Sequence, residues 1–224
     1  MNLNEFNWGN TNQWYKETIN REIFEDKIYE KIFKVKEGDI VFDFGSSIGP
    51  FAYTLKDRNI SHIYCVEPSI SLLHTLQDNL SELPHTILPK ALGNSNEFTE
   101  TFVFFENEEK NGIVPSITFK TLIEEYKIER IDFLKTDCEG GEYEIFNLEN
   151  VHWLKQNLGY AVGEWHLGTQ VLNQKFREFR DVFLRIFPNH HVYSVDGVDI
   201  KWDLWNEHFL EYYTEVIIHI DNKS

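Results

Sequence analysis

Four apolar runs in this chain end in polar residues whose types suit a site that handles a cation and a proton: Asp43, Glu67, Asp137, and Glu164 with His166. Asp43 opens the spacing D-x-G-x-x-x-G within VFDFGSSIGP, where Gly45, Ser46, Ser47 and Gly49 form a turn almost free of bulky side chains. Such a turn lets a ligand approach the backbone, and free N–H groups at the start of a following helix, expected over residues 51–58, would favour an anionic group. Glu67-Pro68 follows 24 residues after Asp43. An acid at about 20 residues from a glycine turn, ending the second strand of a βαβ unit, is placed to accept hydrogen bonds from ribose hydroxyls. The glycines are not spaced G-x-G-x-x-G, which argues against a dinucleotide cofactor and leaves an NAD-dependent oxidoreductase as the rival reading.

A D-x-G-x-x-x-G turn followed by Glu-Pro resembles the S-adenosylmethionine site of Rossmann-like methyltransferases. The segment IDFLKTDCEGGEYEIF, residues 131–146, narrows the resemblance. Together with FDFGSSIGPF, VEP, ALGN and EWH, it resembles the FkbM family of methyltransferases over residues 41–166. The resemblance implies a class I methyltransferase fold, S-adenosylmethionine as cofactor, and O-methylation of a carbohydrate or secondary metabolite. Glu67 would then hold the ribose, the backbone of Gly45 to Gly49 the methionine portion, and the backbone of Ala91 and Leu92 would lie near the adenine. Asp43, able to accept from an ammonium or, through water, from a hydroxyl, completes the expected cofactor set with Ser46, Ser47, Pro68 and Asp137. A binding protein that keeps this fold without chemistry is the remaining alternative.

An alcohol is a poor nucleophile at neutral pH, so such a site needs a base or a metal. His166 is the base candidate, because imidazole titrates near neutrality. Glu164, two positions earlier on an extended chain, projects to the same side and could orient it, while Asp137 ends its strand facing the cofactor. Glu139 and Glu142 fall where a helix begins and also suit its positive end. A divalent ion, Mg2+ or Ca2+, held by Asp137, Glu139, Glu164 and His166 is the other option, since oxygen-rich ligands suit hard cations.

Composition narrows the partners. Lys+Arg 21 against Asp+Glu 37 gives a formal net charge of −16, which repels a phosphate backbone and disfavours nucleic acid. The two cysteines, Cys65 and Cys138, form no C-x-x-C pattern and suit a reducing cytoplasm. The first ten residues lack a basic segment followed by an apolar core, and no apolar run approaches the roughly 18 residues of a membrane span. A soluble, cytoplasmic protein is expected.

The elements that must position these residues alternate. Strands are expected over residues 40–44, 60–66, 86–92, 131–136 and 158–164, with helices over 69–83 and 118–127. Residues 98–105 read as an extended segment followed by a polar turn at 106–112. Asp196-Gly197 between two β-prone runs signals a hairpin, and residues 215–220 a last strand. The expected fold is therefore α/β, a mostly parallel mixed sheet of Rossmann-like type with a C-terminal antiparallel hairpin. The chain reads as one domain, with residues 1–37 a helical cap and 38–224 the core. Apolar spacing at Trp14, Ile19, Ile23, Ile28 and Ile32 suits helices that either cover the sheet or act as a lid in which Trp8, Trp14 or Tyr15 closes over the site. Trp153, Trp165, Trp202 and Trp205 are candidates for touching the acceptor.

Overall fold

The computed structural model describes residues 5–105 and 108–223. Seven strands build the main sheet: β1 (Ile40–Phe44), β2 (His62–Val66), β3 (His85–Leu88), β7 (Ile131–Thr136), β8 (Leu158–His166), β9 (His190–Tyr193) and β10 (Glu215–Asp221). A smaller sheet holds β4 (Ala91–Leu92), β5 (Phe98–Phe105) and β6 (Glu108–Ile117). The main order is β3-β2-β1-β7-β8-β10-β9, parallel from β3 to β8 and antiparallel where β10 enters between β8 and β9. The order reverses at β1, between β2 and β7, which is where an open α/β sheet leaves a crevice at the carboxyl ends of its strands.

The residue types explain the strands. β1 and β7 carry apolar residues on both faces, as helix-covered parallel strands do, interrupted by Asp43 in β1 and by Asp132, Lys135 and Thr136 in β7. Phe42, Phe44, Leu134, Ala161 and Ile218 feed one buried cluster; Val41, Phe133, Val162 and Ile217 feed another with Ile19, Ile23 and Phe24 from the N-terminal segment. Strand alternation puts Asp43, Lys135, Glu164, Glu215 and, beyond the strand ends, Asp137 on the face of the second cluster. The polar set thus lies under the segment that precedes β1.

Some expectations shift. The strand expected over 86–92 is two strands in different sheets, because Pro89 lacks the N–H that a central strand must donate. The expected polar turn at 106–112 begins outside the described residues at 106 and 107, but from Glu108 the chain is already β6, paired in register with β5. Asp196-Gly197 does form a turn, with the Gly197 N–H donating to Ser194 O at 2.8 Å, yet the run after it makes only the bridge Tyr193–Asp199. The antiparallel partner of β9 is β10 instead. The expected N-terminal helix is an α-helix at Gln13–Ile19 continued by wider turns at Asn20–Glu25 and a short 3₁₀ turn at Ile28–Glu30.

Candidate active site

The glycine loop leaves β1 through Gly45, whose φ of +72° is open to glycine without penalty. A Cβ there would lie 1.7 Å from the Asp137 carbonyl oxygen, so two neighbouring strand ends pack backbone to backbone at this point. The loop amides are already used. Gly45 and Ser46 donate to Val66 O at 3.0 and 3.3 Å, Gly49 to Ser46 O at 2.8 Å, and Ser47 to Glu67 Oε2 at 2.8 Å. The α-helix that follows spans only Pro50–Tyr53. These four amides are therefore engaged within the protein and offer no anion cradle themselves.

Glu67 is buried, and its other oxygen accepts from the Ser69 N–H at 2.7 Å. Burial raises its pKa, opposed by these amides and the Ser69 hydroxyl. Its carboxylate holds the loop to the end of β2 while lining the crevice. Asp43, Ser46 and Gly49 lie behind the loop and outside the lining of the crevice. Asp43, fully buried, pairs with Lys135 Nζ at 3.1 Å, and Ser46 Oγ donates to Asp43 O at 2.6 Å.

Lys135 was not singled out by the sequence, since it sits inside an apolar run. Its ammonium also donates to Gly45 O at 2.8 Å and lies 3.9 Å from Asp137 Oδ2. Burial disfavours the cation, but Asp43 and Asp137 overcome this and raise the lysine pKa. Tyr29, likewise unforeseen, donates its hydroxyl to Asp137 Oδ2 at 2.9 Å. Tyr15 from the N-terminal helix hydrogen-bonds the Ser47 hydroxyl.

On the other wall, His166 is oriented by Glu142 and not by Glu164. The His166 backbone N–H and Nδ1 reach Glu142 Oε1 at 2.8 and 3.0 Å, while Nε2 faces Glu139 at 3.5 Å and Asp137 at 3.9 Å. Burial works against the imidazolium; Glu142, then Glu139 and Asp137, outweigh it and hold the pKa well above the ordinary histidine value. Glu142, expected only at a helix start, is fully buried and also accepts from Gly140 N–H at 2.8 Å. Glu164 shares the cavity with Asp137, Glu215 and Glu22; burial first, then the Asp137 charge, raises its pKa well above the carboxylate range.

These walls enclose a cavity of about 590 Å³. Gly45, Ser47, Glu67, Pro68, Ala91, Leu92, Asp137, Cys138, Glu139, Glu164 and His166 line it together, with Trp14, Tyr15 and Glu22 from the N-terminal segment. Eight carboxylates face Arg21, Lys90 and His166. The four tryptophans proposed as acceptor contacts lie elsewhere: Trp165 is in the core, Trp153 packs on Phe119, Trp202 is exposed, and Trp205 lies under Arg185 at 4.4 Å. Trp8 packs against Phe6 and Phe24.

The donor set fits S-adenosylmethionine, whose sulfonium and ammonium charges suit an acidic cavity and which brings no phosphate to the occupied loop amides. A cavity of this size lies within the usual range of about 300–1,000 Å³ for ligand sites. A metal fits less well. Among the described residues no group of three or more His, Cys, Asp or Glu side chains is arranged to hold an ion, and His166 is positioned to donate from both ring nitrogens. No helix among the described residues is long and apolar enough to cross a membrane.

Among solved structures, the chain is similar to fibrillarin from Aeropyrum pernix in complex with natively bound S-adenosyl-L-methionine, at 15% identity over 86% of this chain and 71% of that one, with a TM-score of 0.48. It is similar to an rRNA methylase from Streptococcus thermophilus at 11% identity, covering 84% and 88%, TM-score 0.45. Precorrin-6y C5,15-methyltransferase from Geobacter metallireducens shows 13% identity, covering 97% and 93%, TM-score 0.46. None of the curated proteins matches the chain. Residues 26–193, well over half of the sequence, match the methyltransferase FkbM domain, and the chain belongs to that family of S-adenosylmethionine-dependent methyltransferases.

Proposed function

We propose that the chain transfers a methyl group from S-adenosylmethionine to a hydroxyl of a carbohydrate or secondary metabolite, as one methyltransferase domain over residues 1–224 with residues 1–37 as its cap, in the cytoplasm. The observation that carries this reading is that Gly45, Ser47 and Glu67 share one cavity with Asp137, Glu164 and His166. The net charge of −16 and the acidic lining weigh against a nucleic-acid acceptor. The free thiols Cys65 and Cys138 suit a reducing compartment.

When bound, the cofactor supplies an electrophilic methyl on a cationic sulfur. The remaining work belongs to the protein. Glu67 accepts hydrogen bonds from the ribose hydroxyls, with its geometry set by Ser47 and Ser69. Ala91 and Leu92 flank the adenine, and Asp137, fixed by Tyr29, faces the cationic end. Alignment of donor and acceptor supplies much of the acceleration in such transfers, and Tyr15, hydrogen-bonded to Ser47, brings the N-terminal segment into the lining of the crevice.

For the hydroxyl proton, two groups compete. His166, whose proton Glu142 holds with a pKa well above the ordinary histidine value, is the poorer acceptor. In this reading the ionised form of Glu164 takes the proton: burial and then the Asp137 charge raise its proton affinity, so turnover rises with pH as Glu164 ionises, while His166 keeps its proton. The test is incubation with radiolabelled S-adenosylmethionine and a panel of glycosides and phenolic or polyol metabolites, with product linkage read by mass spectrometry. Methyl ethers support the proposal; label found only on amines, nucleic acid or carbon overturns it.

A further inference from the structure

His219 on β10 is fully buried, and neither of its ring nitrogens has a hydrogen-bond partner among the described residues. It lines a second cavity of about 290 Å³ with Tyr193 and Ile217. Asp26, Val195 and Asp196 line both this cavity and the first.

Strand geometry fixes the relation between the two. Glu215, Ile217 and His219 point to one face of β10, and their partners on β8 are His166, Glu164 and Val162. At about 3.3 Å per residue, His219 lies roughly 13 Å from Glu215 along the face that carries Glu164 and His166. Burial, with His191 and Lys31 adding to it, pushes the His219 pKa down to about 3, so the ring is neutral and offers one donor and one acceptor. The nearest cation is already engaged, since Lys31 donates to Gly197 O at 2.8 Å and lies over the Tyr193 ring at 4.4 Å. A neutral donor–acceptor ring beside an aromatic side chain recognises an uncharged hydroxyl better than an ion.

We infer that this second cavity is a distal acceptor subsite, in which His219 hydrogen-bonds a hydroxyl of an uncharged ring one unit removed from the hydroxyl that is methylated. The inference rests on the hydroxyl-acceptor reading above and deepens it: the acceptor is at least two rings long and runs down the face shared by β8 and β10.

The experiment uses the full chain saturated with S-adenosylhomocysteine. Imidazole 15N resonances of His219, assigned with His219→Phe, are followed during titration with methyl glycosides and disaccharides of glucose, galactose, mannose and rhamnose. The expected result is a saturable shift of the His219 resonances by a disaccharide, with at least tenfold weaker binding by His219→Phe at unchanged S-adenosylhomocysteine affinity. Sugars that leave those resonances still, equal binding by His219→Phe, or a crystal with ordered water alone on the two ring nitrogens would overturn the inference. A glycoside that is methylated yet leaves His219 untouched removes the subsite and keeps the acceptor class. A chain that binds no S-adenosylhomocysteine fails at the earlier reading.

Discussion

The two walls of the main cavity are built on opposite principles. On the loop wall, the amides of Gly45, Ser46, Ser47 and Gly49 and both Glu67 oxygens all meet a hydrogen-bond partner, and behind the loop Asp43 Oδ1 is ion-paired with Lys135. On the facing wall, burial first and then the charges of Asp137, Glu215 and Glu22 work against ionisation of Glu164, with His166 only partly opposing them. The first wall is made to hold still. The second stores unfavourable charge, which is how a protein keeps a basic group ready at some expense of stability.

The comparison breaks most visibly at Lys135. Lys135→Met should cost about 3–5 kcal/mol of unfolding free energy, because it strands the buried Asp43 charge. Chemical denaturation should also show Lys135→Met/Asp43→Asn recovering much of the loss; a single variant within about 1 kcal/mol of wild type would end the holding role, on the same scale.

Next in size is Glu164→Gln, expected to lower kcat by about 100-fold or more with little change in cofactor affinity. The same change should stabilise the fold. A carboxyl with a raised folded pKa contributes stability below its unfolded value near 4.5 and loses it as pH climbs through the folded value, so the Tm advantage of Glu164→Gln should grow from about pH 4.5 up to the folded value and then level off. Wild-type turnover, or a Tm gap that does not widen with pH, would refute this.

A smaller effect is expected at Glu67→Gln, which keeps an acceptor but loses the charge. Calorimetric titration with S-adenosylhomocysteine should show about tenfold weaker binding, or roughly 1.4 kcal/mol, the lower end for a charged hydrogen bond. Unchanged affinity would remove Glu67 from the ribose.

The smallest is a pH signature at His166. Its folded pKa is raised, so its contribution is complete below about pH 6.5 and fades as pH rises through the folded value. The Tm difference between wild type and His166→Gln should therefore be widest in acid and narrow above neutrality; a constant difference would show that the Glu142 contact is not ionic.

Much of this was legible from local pattern. β7 has the bounds its apolar run announces, Ile131–Thr136, and Glu67, Asp137, Glu164 and His166 line one crevice because parallel strands end on the same side, whereas Asp43 turns behind the glycine loop. What escaped was pairing across the chain. Tyr29 reaches Asp137 over 108 residues, and Glu142 reaches His166 over 24. No local spacing encodes either contact. Lys135 left a trace, a lone charge inside a buried strand whose parallel neighbour carries Asp43 at the paired position. A buried charge needs a partner, so that trace was sufficient in principle. Pro89 likewise announced the break between β3 and β4 that apolar content alone concealed.

The segment ahead of β1 touches both walls, through Tyr15 on Ser47 and Tyr29 on Asp137. A single displacement of it would unlatch donor and acceptor compartments together. On the methyl-transfer reading proposed above, exchange of the spent donor and release of the product would then share one doorway, and a transplant of these residues between relatives would shift the timing of turnover.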